Sequence, residues 1–213
     1  MLETISAFWA QYGDVLIEGS WETLLMVSIS TVLSYVIGVP LGVALIVTQP
    51  QGIRPHRVVY GVLGWIVNIG RSLPFAILLV ALMPFTRALV GTAKGAIPPL
   101  VISAAPFVAR MVETSLSEVD AGVVEAAQAM GASPLQIVRK VYLPESMPSL
   151  VLGGAISVVT ILAYTAIAGM VGAGGLGDIA IQYGHNRGVT SLMWVTVLFL
   201  IIFVQIIQWV FNW

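Results

Sequence analysis

The residues with the strongest chemical potential fall into a few short patterns. Gly172-Ala-Gly174-Gly175-Leu-Gly177 fits the G-x-G-x-x-G spacing that lets backbone amides approach a dinucleotide pyrophosphate. That use requires a strand before the glycines, a helix after them within a βαβ unit, and an acidic residue about 20 positions on. A long apolar segment precedes these glycines and another opens at Ser191, so they read instead as a helix end and a turn. Gly91-Thr92-Ala93-Lys94-Gly95 sets a lysine among small residues, but the spacing is not that of a phosphate-binding loop and no Ser or Thr follows the lysine. No nucleotide chemistry is expected of this chain's own residues. There are no cysteines, which removes thiolate catalysis, thiolate metal sites and disulfides. What remains is charge in unusual places. Arg71 lies inside an apolar run, Arg110 and Glu113 lie three apart inside another, and Glu125 to Glu145 forms a polar segment, EAAQAMGASPLQIVRKVYLPE.

These residues sit in a chain built for lipid. Of its 213 residues, 58% are hydrophobic and 9% charged, with a mean hydropathy of +0.98, where soluble domains carry about 25% charged residues. The net charge of -1 gives no ground for a nucleic-acid partner. Five stretches approach the roughly 20 apolar residues that a spanning helix needs: 21–47, 58–83, 96–116, 148–170 and 191–213. The third reaches that length only by including Arg110 and Glu113, which at i, i+3 are spaced to pair. The expected fold class is an all-α integral membrane protein with five transmembrane helices. Residues 1–20 contain no Lys or Arg, carry Glu3, Asp14 and Glu18, and lack a compact apolar run. They read as an interfacial, extracytoplasmic lead-in to the membrane domain at 21–213, not as a cleavable signal.

Five spans place the termini on opposite sides. With the N-terminus outside and the C-terminus cytoplasmic, the inner loops hold Arg54, Arg57, Arg110, Arg139 and Lys140 and the outer ones Arg87, Lys94 and Arg187. That excess of basic residues agrees with the positive-inside rule. His56 and His185 then fall on opposite sides and cannot share a metal. Gly38 and Gly42 form a G-x-x-x-G, and Gly153, Gly154 and Ser157 cluster in the fourth span; such residues are expected to let helices of the chain approach closely.

Arg71 lies 13 residues from Val58, roughly 20 Å by helical rise. A charge at that depth needs a polar interior. Pro74, three residues on, frees a backbone carbonyl nearby, so two readings stand: a structural contact at a kink, or a place on a translocation path.

The segment 117–147 faces the cytoplasm in this topology. Asp120 or Ser117 can cap a helix that Gly131 ends. Ser133, Pro134 and Gln136 then form an N-cap, a first-turn proline and a capping box for a second helix, expected to run to about Tyr142 and to stop at Leu143-Pro144. Leu135, Val138 and Tyr142 are spaced as its apolar stripe, with Arg139 and Lys140 off it. Two capped helices folded at a sharp bend suit a knob inserted in a soluble partner, and an amphipathic pair lying on headgroups is the alternative.

The segment resembles the EAA loop of ABC importer permeases. The pattern is E-A-A, three residues, Gly, nine residues, an aliphatic, one residue and Leu-Pro. Glu125, Ala126, Ala127, Gly131, Val141, Leu143 and Pro144 stand at those spacings, with Val141 where isoleucine is usual. The stretches 68–92, 104–113 and 171–184 are similar to the methionine-importing branch of that family, and the likeness covers about residue 21 to the end. It implies a type I ABC importer permease fold whose cytoplasmic coupling helices, with Leu135 among their contacts, dock on a separate ATPase. It also implies a permease homodimer, two ATP-binding subunits that hold the ATP and Mg, no cofactor on this chain, an extracytoplasmic methionine-binding lipoprotein, and the bacterial inner membrane. The expected cargo is D- or L-methionine or a close relative, with another small amino acid or organic solute as the alternative. A secondary transporter is a different class, and five spans without an internal repeat do not favour it.

The fourth span enters from the coupling loop at Pro148, which sets Ile167 to Met170 near its outer end. Two such helices facing across a dimer axis would form an apolar constriction, and ordinary packing against lipid or other helices is the alternative. Ile167 is the first choice for it and Met170 the second, with Gly169 giving backbone freedom between them. Arg71 and Pro74 complete the residues assigned to the path.

Overall fold

The computed structural model describes residues 2–90 and 95–212; the lysine of the Gly91–Gly95 motif lies outside them. Every regular element among the described residues is helical. In chain order they are α1 (Leu2–Thr48), α2 (Arg57–Ser72), α3 (Phe75–Val90), α4 (Ile97–Ser117), α5 (Ala121–Ala129), α6 (Pro134–Ile137), α7 (Leu143–Glu145), α8 (Met147–Gly169), α9 (Gly175–Ile179) and α10 (Thr190–Asn212). π-helical turns follow α6 at Val138–Tyr142 and α9 at Ala180–Asn186.

Segments of α1, α4, α8 and α10 are each long and apolar enough to cross a membrane, and α2 with α3 meets the same test as a pair bent by 92°. The continuous span expected at 58–83 is therefore two helices. The cause is local. Pro74 has no N–H to give the Gly70 carbonyl, and Leu73 before it is extended, at φ -77 and ψ 121. No helix break marks residue 20. α1 runs unbroken for 47 residues, about 70 Å at 1.5 Å per residue and more than twice the hydrocarbon thickness. Its first turns hold Phe8, Tyr12, Val15 and Leu16, which pack with Leu176, Leu192 and Phe199. That apolar contact keeps the lead-in helical.

The G-x-x-x-G of α1 packs within the chain. A Cβ on Gly38 would lie 2.7 Å from the Val108 Cβ, and one on Gly42 2.7 Å from that of Val112, so only glycine lets α1 and α4 meet this closely. The small residues of α8 serve neighbours on two sides. Gly153 makes room for Met111, and Gly154 for Phe211 and Tyr35. Ser157 donates to the Gly153 carbonyl and meets the Tyr35 hydroxyl at 3.0 Å.

Candidate functional site

The segment 117–147 is held together by local hydrogen bonds that its sequence specifies. The Asp120 carboxylate accepts from the Gly122 and Val123 amides at 2.8 and 3.3 Å and starts α5. α5 ends in a Schellman motif: Gly131 takes φ +78, its amide donates to Gln128, and the Ala132 amide donates to Ala127. The reciprocal bonds of the Ser133–Gln136 capping box are both present, at 2.7 and 3.4 Å. The bend between α5 and α6 is thus fixed by main-chain geometry.

The second helical piece departs from expectation in two ways. Leu143-Pro144 does not stop it. The π-helical turn Val138–Tyr142 passes directly into α7, where Pro144 occupies the first turn and needs no amide partner, and α8 begins at Met147. The apolar stripe is also different. Ile137, Val138 and Tyr142 are buried, with Val141 and Leu143 packed beside them against Ile46, Val112 and Leu116. Leu135 is 66% exposed. Burial pushes the Tyr142 phenol above its ordinary pKa.

The motif residues consequently divide. Ala127, Val141 and Leu143 anchor the segment on the C-terminal ends of α1 and α4. Glu125, Ala126, Gly131, Leu135 and Pro144 are exposed, together with Met130 at 82%. Sequence reasoning passed over Met130 because it caps α5 and falls outside the E-A-A spacing. Glu125 also lines a cavity of about 220 Å³ with Gln49, Gln51 and Gln128.

Between α4 and α8, the two helices that this segment joins, lies a cleft of about 300 Å³ with Arg71 at its edge. Arg71 is exposed, in the last turn of α2. Its neighbour Arg110 is committed: it pairs with Glu113 and donates to Asn68 at 2.8 Å, and the Tyr60 hydroxyl reaches Glu113 at 3.4 Å. Pro74 is exposed at the bend itself, and Phe75 after it is buried.

The C-terminal end of α8 closes with a second Schellman motif, in which Gly172 takes φ +73 and the Ala173 amide donates to Ala168. Two further amides are capped from α1: Glu22 accepts from Gly175 at 2.7 Å and Thr23 from Leu176 at 2.9 Å. Ile167 is half-buried against the cluster that includes Met26, Phe75 and Leu79, whereas Met170 is 61% exposed. Gly169 is not a hinge. A Cβ there would fall on the backbone of Gly177 and Asp178, so its role is close approach to α9. His56 accepts the Val59 amide through Nδ1 at 3.3 Å and caps α2.

Residues 34–213 match the model of the family described as binding-protein-dependent transport system inner membrane component. The chain belongs to this family. Membership removes the secondary-transporter alternative. The chain is 50% identical over 208 residues to the probable D-methionine transport system permease protein MetI of Vibrio cholerae, covering 96% of this chain and 92% of that one. It is 51% identical to the D-methionine transport system permease protein MetI of Escherichia coli over 158 residues, 73% of each chain. Among solved structures, an inward-facing MetNI methionine ABC transporter chain superimposes with a TM-score of 0.90 at 47% identity, covering 95% of each chain. An amino acid ABC transporter crystallised with histidines superimposes at 0.79 with 15% identity over 95% of this chain and 94% of that one, a likeness of fold alone. This is the type I ABC importer permease fold, in a membrane transport subunit that is not itself an enzyme.

Proposed function

We propose that this chain is the permease subunit of an ATP-driven importer of methionine, in the D form, the L form or both. Two copies form the path, two separate ATP-binding subunits hold the ATP and Mg, and an extracytoplasmic binding lipoprotein delivers the cargo. The N-terminus lies outside and the C-terminus in the cytoplasm. The observation that carries the reading is the exposed knob of α5 and α6, rigid in its bend and anchored on α1 and α4, in a chain half identical to methionine permeases along almost its whole length.

In this reading Glu125, Ala126, Met130 and Leu135 meet the ATPase, while Gly131 and the Ser133 cap hold the two pieces at their angle. Ala127, Val141, Leu143 and Pro144 pass the resulting motion to the start of α8. That helix carries it to Ile167 and Met170, which gate the outer end. A mainly apolar path with little fixed charge suits an apolar amino-acid side chain. The test is reconstitution. Proteoliposomes holding the permease with its ATP-binding and lipoprotein partners should accumulate radiolabelled methionine only when ATP is supplied. ATP turnover with no methionine uptake, in either stereochemical form, would assign the system another cargo.

A further inference from the structure

We infer that the cleft between α4 and α8 is a substrate subsite. Arg71 holds the α-carboxylate, and Phe107, Met111, Leu152 and Ile156 receive the apolar side chain. The inference rests on the methionine-import reading and assigns it a place.

Arg71 is the first observation. It is exposed, about 21 Å along α2 from Arg57 by helical rise, in a bent helix pair apolar enough to cross a membrane, and no hydrogen bond or ion pair reaches it from the described residues of its own protomer. A bare guanidinium facing hydrocarbon is strongly disfavoured. The face it occupies must therefore meet water, a second protein surface or an anion. Arg110 on the same cleft is already neutralised by Glu113, so the cleft keeps one uncompensated positive charge, and a planar fork suits a carboxylate.

The walls are the second observation. They are largely apolar, with hydroxyls at a few points. Thr114 gives its proton to the Arg110 carbonyl at 2.9 Å, which leaves its oxygen able to accept from an ammonium group. A cation, an acceptor and an apolar pocket of about 300 Å³ form one side of the recognition problem of which an apolar amino acid is the other.

Position is the third. α4 leads into the coupling segment and α8 leads out of it, and across the cleft Ser149 donates to Ser115 at 3.0 Å. Motion of the segment changes the spacing of the cleft walls, so a ligand held there has different affinities in the two states, which is what directional transport requires.

The test is equilibrium dialysis of radiolabelled L-methionine against the purified permease–ATPase complex without the binding lipoprotein. The same preparation is assayed for import in proteoliposomes with lipoprotein and ATP. Saturable binding is expected, displaced by methylthiopropionate, which keeps the carboxylate, and not by methylthiopropylamine, which lacks it. Arg71→Gln should weaken binding by about tenfold or more and Arg71→Lys by less. Leu152→Trp, which keeps the charge and fills the cleft, should weaken it as much as Arg71→Gln, and so decides the matter even if Arg71→Gln fails to assemble. Import without saturable binding overturns the subsite, as does unchanged binding in Leu152→Trp. Displacement by phosphatidylglycerol in place of methylthiopropionate also overturns it, by giving Arg71 to a lipid headgroup. A complex that fails to import methionine at all overturns the function itself, a separate result.

Discussion

The Phe75 and Tyr164 rings stack with their centroids 4.3 Å apart and their planes within 10° of parallel. Phe75 is the first residue after the Pro74 bend, and Tyr164 belongs to α8, which begins at the coupling segment. The bend in the second crossing is thus fastened to the helix that is proposed to carry motion outward. Phe75→Leu and Tyr164→Leu should each lower the melting temperature of the purified complex. In a double-mutant cycle the pair should show a coupling of about 0.5–1.5 kcal/mol beyond burial. Additive effects would mean that the bend holds its angle without the stack.

Gly131 takes φ +78, and no atom lies within 4 Å of where a Cβ would stand. The demand at this position is therefore conformational and not steric. Gly131→Ala and Gly131→Val should strain the bend by about 1–2 kcal/mol, with Gly131→Asn milder because asparagine tolerates the left-handed region. Uptake should fall in the order Gly, Asn, Ala, Val, while membrane insertion stays intact. Equal uptake and equal ATPase co-purification by Gly131→Ala and the parent would remove the bend from the coupling mechanism.

What the sequence made legible here was mostly local. The Ser133–Gln136 box, the Gly131 stop and the Arg110–Glu113 pair each involve residues three to five apart, so their hydrogen bonds follow from spacing. The size of the bend at Pro74 did not follow. Proline removes one hydrogen bond, but how far the chain turns depends on where Phe75 finds a partner, and Tyr164 is distant in sequence. The outward direction of Leu135 was not legible because Ile137, not Leu135, is the α6 residue that meets Ile46, Val112 and Leu116, and those partners are distant in sequence. The capping of Gly175 and Leu176 by Glu22 and Thr23 spans 153 residues, and no pattern in one chain signals it. The Gly169 assignment failed for a related reason. Glycine in a helix end suggests freedom, whereas the backbone of α9 lies against this one.

Glu113 is 7% exposed and binds Arg110, which in turn holds Asn68 of α2. Glu113→Leu leaves a partly exposed guanidinium with one neutral partner. Breaking a buried pair costs about 3–5 kcal/mol, and the partial exposure of Arg110 places this case at or below the lower end. Expression of folded complex should drop sharply for Glu113→Leu, less for Glu113→Gln, and recover in part when Arg110→Leu is added. A double variant no better than Glu113→Leu alone would show that the charges do not act as a pair.

Glu22 reaches from α1 to accept the Gly175 amide at the glycine-rich turn. Glu22→Leu leaves that partly buried donor unsatisfied, a loss of about 1–3 kcal/mol, while Glu22→Gln keeps an oxygen in place and should lose less. Gly174 and Gly175 both have φ near +80 and stand against Glu22 and Thr23, so Gly174→Ala should resemble Glu22→Leu. Melting temperature orders the variants. Identical values for Glu22→Leu and Glu22→Gln would mean that the turn does not depend on this cap.

The gate prediction turns on two residues of very different surroundings. Ile167 packs against the cluster that holds Met26 and Phe75, so its side chain is already engaged within the protomer. Met170, one turn on at the end of α8, is 61% exposed. If two copies of α8 approach across a dimer axis, Met170 is the side chain free to meet its equivalent, and a flexible thioether can close an apolar constriction without exact fit. The chain has no cysteine, so single replacements report cleanly. Met170→Cys should crosslink between protomers in the nucleotide-free complex and separate when the outward-facing state is trapped, and Ile167→Cys should crosslink less efficiently in both. Efficient crosslinking at 167 with none at 170 would return the gate to the inner position, and none at either would move it off the end of α8.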